Sequence, residues 1–431
     1  MLSDSINETV SVPFAFNGFK DSVKYIGFDE LSKDTQVTTA FAPIYKYSVQ
    51  YNNSNGDFIF SRGTGEVVND YNPAVLSSSV VATVGVLGTM NQTMNYSFKN
   101  ASDFMNLPYR ERIAFRDKNK YAISTFGKQQ ASLFNNDEYS SSWVKSYATF
   151  ENVGLKNGPS VSNIAYGTLI GFDTRIEQLG NGWDRALTGY IGYNGESQRF
   201  SGVDSYQNGG LLGGTMTLYK GNFFNATTIS VGASVSDSRT MYGSEDFAML
   251  YSGVGNKTGY NFEFKGGKCI LQPSLLLSYT FVNAFDYTNA AGVRIDNDSI
   301  HAFQIAPGVK FIGNTKAGWQ PYLSVSMVWN VMGRTDVVAD GVRLPSMSIK
   351  PYVQYGVGVQ KRVKDNFMAY GQAMLQNGGR NGVSLTAGFR WALGYGNPQY
   401  KDVQKDCKNL KTVKILKQMS PYQKTAFIKS K

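Results

Sequence analysis

Apolar and polar residues alternate with a period of two in many segments between about residues 141 and 394. A period of two is typical of a β-strand with two different faces. The same split recurs at 228–235, 353–360 and 383–391. It is clearest at 320–331, where one face carries Pro321, Leu323, Val325, Met327, Trp329 and Val331. The pattern predicts an array of strands that are apolar on one side only.

The polar faces of these strands separate a membrane barrel from a soluble protein. A soluble β-sandwich also buries one face, but its other face meets bulk water and usually carries Lys, Glu and Asp. Here the polar faces hold mostly Ser, Thr, Gly, Gln and Asn, with occasional charged residues at Asp173, Lys310 and Arg390. Small uncharged polar residues suit a narrow, wet lumen, and the three charged residues are candidates to face it.

About twelve strands can be assigned, and most span ten residues or more, as tilted membrane strands do. Turns at 220–223, 265–268 and 363–366 are tight, whereas loops at 283–300 and 331–346 are long. This difference favours a periplasmic start for the first strand, although the connections 175–185 and 377–382 do not fit it. The expected spans are 141–152, 162–175, 185–199, 206–220, 223–237, 248–265, 268–283, 300–313, 318–331, 346–363, 366–377 and 382–394.

A helix is expected before the strand array, from about Pro73 to Met105. It begins with an Asn72 N-cap and a proline at the first helical position, and Pro108 stops it. About 33 residues at ~1.5 Å each would cross a ~30 Å hydrocarbon layer. Its many Ser, Thr, Asn and Gly residues are wrong for lipid, so it could run through a polar lumen. A surface helix of a soluble domain is the alternative. Candidate pore-helix residues are Pro73, Thr83, Asn91 and Asp103.

The chain thus divides into four parts: a β-rich start at 1–70, a linker helix and connection at 71–140, a barrel at 141–394, and a basic, disordered tail at 395–431. The β-rich start contains an expected hairpin at 44–60. The start, Met1 to Ser5, lacks the basic and apolar regions of a signal peptide, so a truncated gene or a mature fragment is expected.

The formal net charge of +10 could suggest nucleic-acid binding. From Lys401 to Lys431, however, nine lysines stand against two aspartates, a net charge of +7 in the tail alone. The other 400 residues carry only about +3, which is not the charge pattern of a nucleic-acid-binding protein. There is also no apolar run long enough for a membrane-spanning helix.

Residues that could carry catalysis or hold a metal are few. His301 is the only histidine, and Cys269 and Cys407 match no metal or redox spacing. The sequence Gly266-Gly267-Lys268-Cys269 lacks the remaining features of a phosphate-binding loop and is better explained as a hairpin turn. No catalytic, cofactor or metal residue is therefore assigned, and the chain is not expected to be an enzyme.

Three segments carry a resemblance to a known family. An opening strand has Trp143 and Tyr147, the second strand ends in Gly171-Phe172-Asp173, and the last ends in Gly388-Phe389-Arg390-Trp391. In order and spacing, the region from about Asn72 to Gly394 resembles the autotransporter β-domain of type V secretion. The resemblance implies an all-β, antiparallel, up-and-down transmembrane barrel of about twelve strands with the helix threaded through its lumen.

The resemblance also implies a function and partners. The barrel would lie in the Gram-negative outer membrane, among its lipids, and export its own N-terminal passenger to the cell surface. The β-rich start at 1–70 would be a remnant of that passenger. Periplasmic chaperones and the barrel-assembly machinery would read a terminal aromatic strand, for which Phe389 and Trp391 are the candidates. About 40 residues follow Trp391, which departs from the family pattern.

Some autotransporters cut their own helix with lumen carboxylates. No set of residues in this sequence indicates such a cleavage, although Asp103, near the end of the helix, keeps it possible. The alternatives to a translocator are a porin-like channel and a soluble β-sandwich adhesin.

Overall fold

Twelve long antiparallel strands form one closed sheet around a helix in the computed structural model. The described residues are 9–13, 37–41, 44–52, 57–62, 71–106, 108–109, 141–174, 176–315, 318–332, 335–364 and 367–392. The barrel strands are β1 (Ser141–Lys156), β2 (Ser160–Asp173), β3 (Trp183–Phe200), β4 (Val203–Lys220), β5 (Phe223–Thr240), β6 (Gly243–Tyr260), β7 (Cys269–Ala284), β8 (Ile300–Gly313), β9 (Trp319–Met332), β10 (Tyr352–Lys364), β11 (Phe367–Gly378) and β12 (Arg380–Ala392).

Each barrel strand pairs with its neighbours in sequence, and β12 pairs with β1 to close the sheet. The closing register places Ser384 opposite Thr149 and Gly388 opposite Lys145. A closed up-and-down sheet satisfies its backbone hydrogen bonds without leaving an edge. The predicted architecture is therefore confirmed. The β-sandwich alternative is wrong, because the barrel is one closed sheet rather than two packed sheets.

The two faces of the sheet follow the alternation in the sequence. On β9, Leu323, Val325 and Val331 are 46–61% exposed on the outside, while Gln320 is fully buried on the inside. On β5, Thr228 and Ser230 are likewise buried. An apolar outer belt around a polar lining is the arrangement that a membrane barrel requires.

Glycines on the inner face make room for aromatic side chains of neighbouring strands. A side-chain carbon added at Gly171 would collide with the Trp143 ring, and one added at Gly213 would collide with Tyr190. Only glycine permits this close approach. Among the turns, Ser201 and Gly202 have φ of 45° and 80°, the positive values that suit a two-residue hairpin.

In the described part of the chain before the barrel lie two helices, α1 (Pro73–Leu76) and α2 (Ser78–Met105). The Asn72 side chain caps α1 by accepting a hydrogen bond from the Ala74 N–H, as its position before Pro73 suggests. The predicted helix, 73–105, therefore has the correct ends and is interrupted only at Ser77. None of the helices in the described ranges is both long enough and apolar enough to span a membrane.

The remaining strands are short. Four form an antiparallel N-terminal sheet that includes the predicted hairpin: Thr9–Pro13, Val37–Phe41, Lys46–Asn52 and Asp57–Arg62. Four others form a small sheet in the long loops: Tyr287–Thr288, Arg294–Asn297, Val337–Ala339 and Val342–Arg343. Single strands at Glu177–Gly180, Phe262–Phe264 and Ser348–Ile349 and a 3₁₀ turn at Lys265–Gly267 complete the described elements.

The barrel has two rims, defined by its connections. The upper rim contains the connections 157–159, 201–202, 241–242, 285–299, 333–351 and 379, and the lower rim contains the start of β1 and the other connections. The two longest connections are on the upper rim, but its other four are as short as tight turns. Loop length alone is therefore a weak guide to orientation here. The predicted basic tail, 395–431, lies outside the described residues.

Candidate functional site: the helix-filled pore

Helix α2 runs inside the barrel. Polar side chains from strands on all sides reach it: Thr149 of β1 accepts from the Gln92 amide at 2.9 Å, and Ser278 of β7 donates to Asn91 at 3.0 Å. Thr386 of β12 shares a hydrogen bond with Tyr96 at 2.9 Å. Because these strands lie at different positions around the barrel, the helix is enclosed by them.

One side of α2 is in close contact with the wall, where it packs on β2 to β7. A side-chain carbon at Gly253 would lie 3.0 Å from Met90, and one at Gly255 would lie 3.1 Å from both Met94 and Phe98. Small residues on this wall therefore allow large apolar side chains of the helix to pack against it.

The other side of α2 faces a cavity of about 180 Å³. Its helix side is formed by residues spaced four apart, which share one face of a helix. Its strand side is mainly amides, hydroxyls and small residues of β8 to β11. The helix is thus off-centre in the lumen, and the space beside it is polar. The helix residues on this side include Leu87, Asn91, Asn95 and Lys99.

Near the upper rim, the lining holds a buried charged cluster. The Arg380 guanidinium of β12 pairs with the Glu151 carboxylate of β1 at 2.5 Å, and Asn163 of β2 donates to the same carboxylate at 3.0 Å. On β3, the Gln198 amide donates to Glu196 at 3.0 Å. These residues are at most 5% exposed, so each charge depends on partners inside the protein.

Nearer the lower rim, the lining is aromatic and basic. The Lys99 ammonium donates to the Tyr322 hydroxyl at 2.7 Å and lies 4.5 Å from the centre of the Tyr370 ring. From β1, Lys145 donates to the Tyr96 carbonyl of α2. These cations face the C-terminal half of the helix, where its dipole favours positive charge.

Each end of the helix is held by polar groups. At the upper rim, the Asn289 amide donates to the Val75 carbonyl at 3.1 Å, near Tyr287. The pKa of Tyr287 is raised above its ordinary value, mainly by burial and secondly by the nearby Glu245 carboxylate. At the lower rim, Asn261 donates to the Met105 carbonyl. Such bonds satisfy backbone groups that a helix leaves unpaired at its ends.

The pore-helix candidates lie at different depths. Pro73 is in α1 at the upper rim. Thr83 and Asn91 are in the part of α2 that the strands surround, and Thr83 is buried, with its hydroxyl donating to the Ser79 carbonyl at 2.7 Å. Asp103 is in the last turn of α2, and its side chain lies outside what the structure describes.

The charged candidates lie on the inner face. Asp173 of β2 pairs with Arg390 of β12 at 2.6 Å and also accepts from the Trp143 indole at 3.2 Å. Lys310 of β8 donates to the Asn106 amide oxygen at 3.1 Å, just beyond the end of α2.

The insertion-signal candidates lie on the last strand. The rings of Phe389 and Trp391 stack with centroids 5.0 Å apart and planes 8° from parallel. They occupy the same face of β12 as Leu385, which is 46% exposed on the outside of the barrel.

Five buried charged residues of the lining were missed by sequence reasoning: Lys99, Lys145, Glu151, Glu196 and Arg380. The signal was present for Lys145, Glu151 and Glu196, which lie within expected strands, whereas Arg380 precedes the expected start of the last strand at 382. The periodicity shows that such a residue faces inward. It does not show which charge of a distant strand will meet it.

Comparisons with known proteins agree with this architecture. The family model "Autotransporter beta-domain" matches residues 142–373, more than half of the chain. No curated protein matches the sequence.

Three solved structures share the fold at low sequence identity. The translocator domain of the autotransporter NalP from Neisseria meningitidis aligns with a TM-score of 0.53 and 10% identity, over 73% of this chain and 99% of that one. The β-domain of the Bordetella autotransporter BrkA aligns with a TM-score of 0.50 and 18% identity, over 58% of this chain and 98% of that one. The transport unit of the autotransporter AIDA-I from Escherichia coli aligns with a TM-score of 0.50 and 13% identity, over 61% of this chain and 94% of that one. The family model matches more than half of the chain, and the structure has the closed twelve-strand barrel with an internal helix. The chain therefore belongs to the autotransporter β-domain family.

Proposed function

We propose that the chain exports the segment before α1 to the cell surface and then anchors it there, with α2 left in the pore as the connection. Autotransporter β-domains are outer-membrane translocators of Gram-negative bacteria. The finer statement, that this chain carries its own N-terminal segment outward, rests on the path of the chain through the barrel.

The path of the chain is the observation that carries the proposal. Helix α1, which leads directly into α2, is bound by Asn289 at the upper rim, and α2 ends at the lower rim, where Asn261 binds it. The first strand then starts at the lower rim. Everything before α1 is therefore joined to the barrel by a chain that crosses its lumen. With the lower rim in the periplasm, this segment lies on the outer side.

The N-terminal segment also packs on the upper rim. Ile44, Tyr45 and Tyr71 belong to one buried apolar cluster with Phe200 of β3 and Val337 of a long loop. The Asn72 N–H donates to the Ile44 carbonyl at 2.8 Å. These contacts would seat the last exported residues at the mouth of the barrel, as an anchor requires.

An open, porin-like channel fits the lumen less well. Apolar side chains of α2 are in close contact with the wall at Gly253 and Gly255, and the cavity beside the helix measures only about 180 Å³. The presence of the helix in the lumen therefore favours a translocator that has finished export over an open solute channel.

The proposal is tested by a reporter placed before residue 1, with a signal sequence ahead of it, in a Gram-negative host. We expect protease added to intact cells to remove the reporter while the heat-resistant barrel remains. A reporter that is cut only after the outer membrane is permeabilised would contradict export. As a control, a reporter placed after residue 431 is expected to be protected in intact cells.

We propose further that the assembly machinery engages the outer face of β12 through Phe389 and Trp391. Their stacked rings form an aromatic patch on the strand that must close the barrel by pairing with β1. Replacing both by Ala should lower the amount of heat-resistant barrel in the outer membrane. Phe311→Ala on the outer face of β8, 46% exposed, is the matched control. Equal loss in both variants would mean that only lipid contact matters.

A further inference from the structure

Two glycines of α2 coincide with two contacts between the barrel and the backbone of the helix. The Gln198 amide donates to the Val81 carbonyl at 3.2 Å, and the Arg380 guanidinium donates to the Val84 carbonyl at 3.5 Å. Each carbonyl lies four residues before a glycine, at Gly85 and Gly88 respectively. In a helix, the side chain at position i lies beside the carbonyl at i−4. Both glycines therefore leave that carbonyl open from the side.

A side chain at either position would require barrel groups to move. A side-chain carbon at Gly85 would collide with the Glu196 carboxylate and lie 2.6 Å from the Gln198 amide nitrogen. At Gly88 it would lie 2.8 Å from an Arg380 guanidinium nitrogen. Glycine is nevertheless among the poorest residues for a helix interior. Its presence here is explained by contact with the barrel and not by helix stability.

The barrel groups that reach these carbonyls are themselves fixed. Arg380 is held by Glu151, Glu151 by Asn163, and Gln198 by Glu196. They belong to four neighbouring strands, β12, β1, β2 and β3, and all are buried. Bonded partners restrict the movement of these buried side chains. The cluster therefore presents two donors at defined positions along the pore.

We propose that Gly85 and Gly88, with Gln198 and Arg380, form a latch that fixes the axial position of α2 in the pore. A shift of one residue moves the helix by about 1.5 Å and turns it by about 100°. Either direction would bring a residue with a side chain, Val84 or Val86, to the place of Gly85. A shift of three residues in one direction would bring one glycine to the place of the other, but would leave one contact blocked. Only one register satisfies both contacts.

The latch deepens the proposed function, since it rests on α2 being the segment that stays in the pore when export ends. It would define where the moving chain stops. The apolar contacts of α2, such as Met90 and Met94 against glycines, are non-directional, so they favour burial without selecting one register.

The experiment uses a crosslink between two cysteines as a reporter of register. Asn91 and Ser278 are hydrogen-bonded at 3.0 Å, so Asn91→Cys and Ser278→Cys should be joined by a short bifunctional thiol reagent in a chain with Cys269→Ser and Cys407→Ser. Adding Gly85→Ala and Gly88→Ala should slow formation of the crosslink by about tenfold or more, as overpacking at two sites implies. The matched control is Asn95→Ala on the cavity side, which should leave the rate unchanged.

Only heat-resistant barrels are scored, so a variant that fails to fold is not mistaken for a loosened helix. Gln198→Met is the second variant, because it removes one donor without adding bulk to the helix, and a smaller slowing is expected. Unchanged rates in both variants would overturn the latch. Helix propensity alone predicts that the two alanines stabilise α2, which is the opposite result. Surface exposure of the N-terminal reporter is scored separately, so failure of export and failure of the latch are distinguishable.

Discussion

The two sides of α2 meet different walls of the same barrel. On one side, Met90, Met94 and Phe98 contact glycines of β6 at van der Waals distance. On the other, Asn91 and Asn95 face a cavity of about 180 Å³ lined by amides and hydroxyls. In the sequence, the residues of both walls are small and polar, so composition alone does not determine which wall the helix contacts. The difference comes from Met90, Met94 and Phe98, which α2 places on the contact side.

This difference has a functional meaning. A helix that filled the lumen evenly would be locked by packing on all sides, whereas an off-centre helix is held by one wall and by polar contacts at set points. Such an arrangement combines a nearly filled pore with a segment that could slide during export. Variants that act on one side of the helix should therefore differ from variants that act on the other.

The largest effect is expected from removing the helix altogether. Deleting residues 72–105 should raise the ion conductance of the barrel in planar lipid bilayers by roughly tenfold, because a helix about 10 Å across leaves the lumen. Deleting residues 1–70 instead keeps α2 in place and should leave the conductance low. If both deletions conduct equally, α2 does not occupy the pore in the membrane.

The next effect concerns the charged pair between β12 and β1, which adjoins the cavity. Arg380→Ala leaves Glu151 buried without its cation, which should cost about 3–5 kcal/mol of unfolding free energy. The double variant Arg380→Ala with Glu151→Ala should cost less than the single one, because no unpaired charge remains. The measurement is urea unfolding of the detergent-refolded barrel. A double variant that is less stable than the single variant would contradict this account of the pair.

How much of this was visible in the sequence differs between the fold and the site. Strand ends agree within a few residues for most strands, because alternation persists along each strand and stops at turns. The ends of the helix region followed from Asn72, Pro73 and Pro108. The pairing of Glu151 with Arg380 could not be predicted, since the two are 229 residues apart and meet only when the barrel closes.

The off-centre position of α2 was equally hidden. Gly253 and Gly255 on one wall and Ser324 and Ser326 on the other are all small. Which wall the helix approaches depends on the rotation of α2 about its axis, and that rotation is set by contacts such as those at Gly85 and Gly88. A single sequence gives the faces of each element but not how two faces are matched in space.

A smaller effect separates the two sides of the helix itself. Met94→Ala removes a buried side chain from the contact side and should cost about 2–5 kcal/mol. Asn95→Ala, the next residue, faces the cavity and should change stability by less than about 0.5 kcal/mol. Urea midpoints of the two variants, compared with the parent chain, give the difference. Equal losses would mean that the cavity closes around the helix in the membrane.

The smallest effect is expected from adding bulk to the walls and leaving the helix untouched. At Gly255 on the contact wall, an added carbon would lie 3.1 Å from Met94 and Phe98, closer than most side-chain contacts. Because both are the ends of long side chains, they can give way in part, and Gly255→Ala should cost about 1 kcal/mol, the low end of overpacking. Ser326→Val adds bulk toward the cavity and should cost less, since the space there is open and valine suits a strand. A larger loss at Ser326 than at Gly255 would place the helix on the opposite wall and reverse the comparison.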